Sequence, residues 1–220
     1  MTEKITVIGS GTMGSGIAQV AVEAGFQVSL VDTEKGFVDR GMANIRKFIG
    51  KKVEKGKLNQ TQCDAILSRL SGTTDMAVAV KDVAMVVEAV FEKFDLKKEI
   101  FQKLDALCPP QVILASNTST LSITSIAAVT KHPDRVIGTH YFSPVPAMRL
   151  VEVIRGKETS DATADKTVEI CKKFGKTPIV VKDIPGFIVN RFLCLIYNEA
   201  ADMIDRGDAR AEDIDQAMKL

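Results

Sequence analysis

Apolar residues follow two rhythms along this chain. Short β-rich apolar runs fall at residues 4–9, 27–32, 84–89, 112–115, 136–141, 148–154 and 178–181. Between them, segments with helical period cover 12–24, 34–55, a stretch from 61, then 94–107 and 162–174. Strand runs alternating with helical segments are the pattern of βαβ units, so the expected class is α/β with a mostly parallel sheet. Gly25 and Gly175 stop two of the helices and Pro109-Pro110 stops a third, as expected of residues that tolerate or enforce the end of a helix. After Asp183 the rhythm changes. Ile184-Pro185-Gly186 interrupts the chain, and over 187–206 the residues Val189, Phe192, Leu193, Ile196, Ala200 and Met203 share one helical face. Gly207 ends that helix and another begins near Ala211. The expected organisation is one α/β domain over 1–184, followed over 185–220 by the beginning of an all-α domain.

The first strand runs directly into Gly9-Ser10-Gly11-Thr12-Met13-Gly14, a G-x-G-x-x-G at the opening of a helix. The first glycine permits the tight turn, the second lets a pyrophosphate approach the backbone, and the third lets helix and strand pack closely. The helix N-terminus, with Thr12 and Met13 in its first turn, then faces the phosphates. Asp32 ends the second strand eighteen residues beyond Gly14, where a carboxylate accepts bonds from an adenosine ribose and repels a 2′-phosphate. The residues after it, Thr33-Glu34-Lys35, include no immediate arginine. The expected fold is therefore Rossmann-type and doubly wound, with NAD as cofactor in preference to NADP.

Acids and bases nearly cancel, at a formal charge of +1, so no overall field attracts nucleic acid or an anionic membrane. Any anion site must be local, and residues 46–57 supply a candidate. Six bases there (Arg46, Lys47, Lys51, Lys52, Lys55 and Lys57) face a single acid, Glu54. Cys63, Cys108, Cys171 and Cys194 form no CxxC pair and have no histidine nearby in sequence, which argues against a metal site or a disulfide framework and for core thiols of a cytoplasmic protein. The N-terminus lacks the longer apolar region of a signal peptide, and no apolar run is long enough for a membrane span. Of the two histidines, His132 lies in a loop context beside Pro133, whereas His140 closes an apolar strand. If that strand runs parallel, His140 sits where ligands meet an open α/β sheet. Taken alone, it is as well explained as a hydrogen-bonded core histidine.

Four segments change that balance: VIGSGTMGSGIA from Val7, SNTSTL from Ser116, GTHYFSPVPAMRLVEV from Gly138 and DIPGFIVNR from Asp183. In these, and along its whole length, the chain resembles the L-3-hydroxyacyl-CoA dehydrogenases, and within them the bacterial 3-hydroxybutyryl-CoA type. The resemblance implies hydride exchange between NAD and a short 3-hydroxyacyl-CoA, giving the 3-ketoacyl-CoA. It implies His140 as general acid/base with Glu152 holding it, Ser119 and Asn190 bonding the reacting substrate, and Glu92 and Lys97 near the nicotinamide ribose, with Asn117 also in the cofactor site. It points to lysines of the basic stretch for the coenzyme A phosphates, and four-residue spacing selects Lys51 and Lys55. It further implies a dimer made by the helical domain. One departure is visible: Ser143 stands where many members have asparagine, and no catalytic role is assigned to it.

The residue types suit the reaction. Oxidising a secondary alcohol by hydride loss needs a base for the hydroxyl proton, and the reverse needs the same group as an acid, which an imidazole supplies near neutral pH. Two other readings stay open. One is a dehydrogenase of a free hydroxy acid or sugar acid, with Arg149 holding the carboxylate; the other is an NAD-binding structural protein that keeps the fold. Family members continue for about another half-domain of helices beyond the position matching Leu220. The second domain is thus expected to be incomplete, and the 220-residue form to self-associate or aggregate, to bind NAD(H), and to be a weaker dehydrogenase than a full-length member.

Overall fold

A computed structural model describes residues 3–220 of the chain. Eight strands form one sheet: β1 (Lys4–Ile8), β2 (Gln27–Val31), β3 (Leu70–Thr73), β4 (Met85–Glu88), β5 (Ile113–Ser116), β6 (Val136–Tyr141), β7 (Leu150–Arg155) and β8 (Thr177–Lys182). Their order is β3-β2-β1-β4-β5-β6-β7-β8. All neighbours are parallel except β6 and β7, which are antiparallel. The chain therefore winds outward one way from β1 and the other way from β4, leaving a crevice at their carboxyl ends, where ligands of open α/β sheets bind.

The helices are α1 (Thr12–Glu23), α2 (Lys35–Glu54), α3 (Gln60–Leu67), α4 (Met76–Ala79), α5 (Phe94–Leu107), α6 (Ile123–Ala127), α7 (Asp161–Lys173), α8 (Val189–Asp205) and α9 (Ala211–Lys219). Successive strand residues point to opposite sheet faces, and the buried side chains accordingly divide into two clusters. Ile5, Val7, Met85 and Val87 pack with Ile17 of α1, Ile45 of α2 and Ile170 of α7. Ile8 and Val86 pack with Phe101 of α5 and Ile126 of α6. Helices on both faces explain why the central strands read as continuous apolar runs rather than as alternating ones.

No hydrophobic rhythm in the sequence marks β3, α4 or α6. Strand β3 reads Leu-Ser-Gly-Thr and offers one large apolar side chain, so its strand character comes from pairing with β2. Gly72 is needed there because an added Cβ would lie 2.5 Å from Val38 of α2. Helices α4 and α6 are too short for a period to emerge. Their starts are marked by side-chain caps, Asp75 accepting from the Val78 amide and Ser122 from the Ser125 amide. Helix α8 begins two residues later than its pattern suggests, because Gly186 and Phe187 have positive φ (76° and 48°). The expectation of four core thiols needs one correction. Cys63, Cys108 and Cys171 are buried, and burial pushes the thiols of Cys108 and Cys171 up to about 11, but Cys194 is exposed. It lies on α8, no residue of which is buried; the same is true of α9. No helix among the described residues is long and apolar enough to cross a membrane.

Candidate active site

The glycine loop follows β1 into the crevice. Gly14 has no room for a side chain, since an added Cβ would sit 1.8 Å from the Gly9 carbonyl oxygen. At Gly11 nothing lies within 4 Å of an added Cβ, so that glycine keeps the surface bare rather than relieving a protein contact. Gly11 is also the N-cap of α1, and no side chain caps it. The first amides of α1, those of Thr12, Met13 and Gly14, are thus left to an anion. Beyond β2, Asp32 accepts bonds at Oδ2 from the Ser10 amide and hydroxyl, both at 2.7 Å, and at Oδ1 from the Thr33 amide at 2.8 Å. Burial raises its proton affinity, but the bonds from Ser10 and Thr33 outweigh burial and hold the carboxyl below the usual aspartate range. Ser10 thus ties the glycine loop to the end of β2. A bare helix N-terminus, a glycine turn without side chains and an ionised acid at the second strand fit a dinucleotide.

Deeper in the crevice, β4 ends in Glu88, a residue that no motif in the sequence marks. Glu88 is fully buried, and its Oε1 accepts from Lys97 Nζ at 2.7 Å and the Val90 amide at 2.7 Å. Its Oε2 accepts from the Ser116 hydroxyl at 2.6 Å. Lys97 is also fully buried and lies 3.5 Å from Glu92 Oε2. Glu92 Oε1 accepts from the Ser119 amide at 2.8 Å, the Thr120 amide and hydroxyl at 3.0 Å, and the Thr118 hydroxyl. Burial pushes its carboxyl up, but Thr118, Lys97 and the remaining donors bring it below the usual glutamate range. Glu92 and Lys97 thus lie together, and through Glu92 they hold the loop after β5 that carries Ser119. The ends of β5 and β6 are joined by Asn117, whose Oδ1 accepts from the Tyr141 amide at 3.1 Å.

His140 is the fifth residue of β6, which runs parallel to β5, so the histidine faces the crevice end of the sheet. Antiparallel pairing sets Glu152 of β7 directly opposite. His140 Nδ1 and Glu152 Oε2 are 2.8 Å apart, and both side chains are buried. The second carboxylate oxygen accepts from the amides of Ile188 at 2.9 Å and Val189 at 3.0 Å. Asn190, one residue further on, donates from Nδ2 to the Ser119 carbonyl at 3.1 Å. Ser119 does not cap α6, since Ser122 does, and its hydroxyl has no hydrogen bond among the described residues. Ser119, His140, Glu152 and Asn190, spread over seventy-two positions of sequence, form one connected group. With Nδ1 engaged by the carboxylate, Nε2 is the ring nitrogen left to exchange a proton with a ligand.

Family models for the 3-hydroxyacyl-CoA dehydrogenases match both parts of the chain: the NAD binding domain over residues 4–184 and the C-terminal domain over residues 186–220. The chain belongs to the 3-hydroxyacyl-CoA dehydrogenase family. Among relatives, it is 45% identical over 218 residues to the probable 3-hydroxybutyryl-CoA dehydrogenase of Bacillus subtilis, covering 99% of this chain and 76% of that protein. It is 47% identical over 217 residues to the 3-hydroxybutyryl-CoA dehydrogenase of Clostridioides difficile, covering 99% and 77%. Among solved structures, (S)-3-hydroxybutyryl-CoA dehydrogenase from Ralstonia eutropha superposes with a TM-score of 0.96 at 42% identity, over all of this chain and 77% of that one.

Lys51 and Lys55, expected to meet the coenzyme A phosphates, belong to another element and form no hydrogen bond with this group among the described residues. Lys51 is in the last turn of α2 and Lys55 is its C-cap, and both are exposed. The Lys51 ammonium lies 5.9 Å from the Phe48 ring centroid. Lys52, between them, is held by Glu23 at 2.7 Å. Lys51 and Lys55 have no carboxylate partner among the described residues. Arg149, the candidate anchor for a free acid, is exposed just before β7.

Proposed function

We propose that this 3-hydroxyacyl-CoA dehydrogenase interconverts (S)-3-hydroxybutyryl-CoA and acetoacetyl-CoA with NAD, and that His140 moves the proton. The observation that carries the reading is the buried His140–Glu152 contact at the crevice end of the sheet whose first strand opens into an NAD-type glycine loop. NAD, when bound, supplies the hydride acceptor or donor. The chain's own residues do the rest. In oxidation, Nε2 of His140 takes the hydroxyl proton as the carbon–hydrogen bond gives up its hydride; in reduction, the same nitrogen returns a proton to the new alkoxide oxygen. Glu152 fixes the ring's orientation and balances the imidazolium charge. The Ser119 hydroxyl donates to the substrate oxygen. Asn190 holds the Ser119 backbone and offers its carboxamide to the same ligand, so the reacting carbon is aligned before transfer.

Glu92 and Lys97 shape the nicotinamide ribose end, and Lys51 and Lys55 attract the coenzyme A phosphates over a screened range of roughly 10 Å. We place the domain boundary at residues 184 and 185, after Asp183. On the shared face of α8, Phe192 is 64% and Ile196 45% exposed, an apolar surface that supports a homodimer. Free cysteines throughout suit the reducing cytoplasm.

The direct test is NADH absorbance. The reading expects loss of NADH with acetoacetyl-CoA and none with free acetoacetate. Equal rates with the free acid would replace the coenzyme A reading with the free-acid one, and no turnover of either would remove the enzyme reading.

A further inference from the structure

The His140–Glu152 pair is built from two neighbouring strands, yet it is completed by neither. Both remaining donors to Glu152 come from the turn between β8 and α8, a segment whose backbone is unusual. Gly186 has φ 76° and Phe187 has φ 48°, two successive residues in the left-handed region. A glycine adopts that region freely, whereas a bulky aromatic is rarely found there. Such outliers persist where the surroundings determine them, and they gather at functional sites.

The surroundings here are specific. The turn is anchored before it by Asp183, whose Oδ2 accepts from the Ser122 hydroxyl at 2.7 Å and the Thr124 amide at 2.8 Å. It is closed after it by the Arg191 amide, which donates to the Gly186 carbonyl at 2.9 Å. An added Cβ at Gly186 would meet that same amide nitrogen at 2.9 Å. Between these anchors, Phe187 is 2% exposed, and its ring centroid lies 5.7 Å from that of His140. Phe142 approaches the same imidazole at 4.5 Å. The two residues after Phe187 are those whose amides reach Glu152, and the N-cap of α8, Ile188, has no side-chain cap. Glu152 therefore caps α8 from another element, and α8 satisfies the carboxylate oxygen that His140 leaves free.

We propose that Phe187 is a positioning residue for the His140–Glu152 pair, its left-handed turn aiming the Ile188 and Val189 amides at Glu152 while its ring covers His140. The inference rests on the dehydrogenase reading for its catalytic consequence, but its physical content is independent of substrate. An apolar cover keeps water from competing for the Nδ1–Oε2 hydrogen bond, and the low local dielectric strengthens it. Among the described residues, Glu152 is the charged side chain within hydrogen-bonding reach of His140. Of the charged groups on the adjoining segment, Asp183 is taken up by Ser122 and Thr124, and Arg191 turns to the Pro185 carbonyl.

Removing the ring should wet the pair and expose its shared proton to solvent. The test is proton NMR on the full chain, reading the solvent exchange of the His140 Nδ1 proton held by Glu152. For Phe187→Ala, that exchange is expected to quicken at least tenfold. Phe187→Leu, which keeps an apolar cover, should stay within about threefold of the parent. Turnover of acetoacetyl-CoA should fall at least tenfold in the alanine variant, with the NADH dissociation constant within twofold of the parent's. An unchanged exchange rate in a folded Phe187→Ala protein overturns the proposal, as does an equal effect of alanine and leucine that simply follows the loss of urea stability. If the parent itself reduces no acyl-CoA, the functional reading fails while the exchange rate still decides the role of Phe187.

Discussion

Replacing Asp32 with alanine should change both the strength and the identity of cofactor binding. The carboxylate already holds three short bonds, from the Ser10 amide and hydroxyl and the Thr33 amide, so it is fixed in place before any ribose arrives. A hydrogen bond to a charged group contributes about 1.5–3 kcal/mol. Loss of one such bond to the ribose corresponds to roughly a ten- to hundredfold weaker NADH complex. NADPH should lose far less, because the same substitution removes the charge that repels its 2′-phosphate. The pH dependence follows from the depressed carboxyl. A group whose folded-state proton affinity is lowered keeps its interaction above the ordinary aspartate range and loses it only as pH falls through the depressed value. This group should therefore impose no fall in NADH affinity between about pH 8 and pH 5. Fluorescence titrations with NADH and NADPH, for parent and variant at both pH values, measure all of this. Equal NADH affinity in the two proteins, or a parent that prefers NADPH, would refute the assignment of Asp32.

Three further outcomes are expected. Glu152→Gln keeps the shape but removes the charge that balances the imidazolium, so the pH profile of ketone reduction should move to lower pH; a superimposable profile would take Glu152 out of the site. Joint replacement of Lys51 and Lys55 by alanine should raise the KM for acetoacetyl-CoA several-fold and flatten its salt dependence, while a truncated pantetheine thioester is barely affected. If the short thioester suffers equally, the lysines act elsewhere. Lys97→Met leaves Glu88 buried without its cation, and unfolding in urea should show a loss of about 3–5 kcal/mol. A loss below about 1 kcal/mol would mean that Ser116 and the Val90 amide suffice for that carboxylate.

The parts of this molecule that were legible in the chain are those written in local pattern. The strands of the parallel core are legible because burial on both faces leaves them largely apolar, as in Met85–Val87. The glycine loop and Asp32 were legible because each obeys a spacing with a mechanical cause. Strand β3 was not, because its strand character depends on β2 and on the passage of Val38 over Gly72. Of the candidate site, His140 and Glu152 are legible by resemblance, and their juxtaposition is a matter of sheet register that eleven residues of intervening sequence do not reveal. Glu88 is not legible because it ends an apolar strand with no motif around it; an acid closing a fully buried strand, nine residues before a lysine on a helix, is the available signal. The turn at Gly186 and Phe187 was visible as an interruption, but the left-handed phenylalanine and its place beside His140 arise from packing that no local rule encodes.

The central claim is that His140 carries the proton in an NAD-dependent reduction of a 3-ketoacyl-CoA. It is tested most directly by His140→Ala, with turnover of acetoacetyl-CoA and NADH binding measured on the same sample. Loss of a positioned acid/base costs roughly two to four orders of magnitude in turnover, and the account predicts that loss with NADH affinity nearly unchanged. Turnover at the parent's level in a folded His140→Ala protein would contradict it.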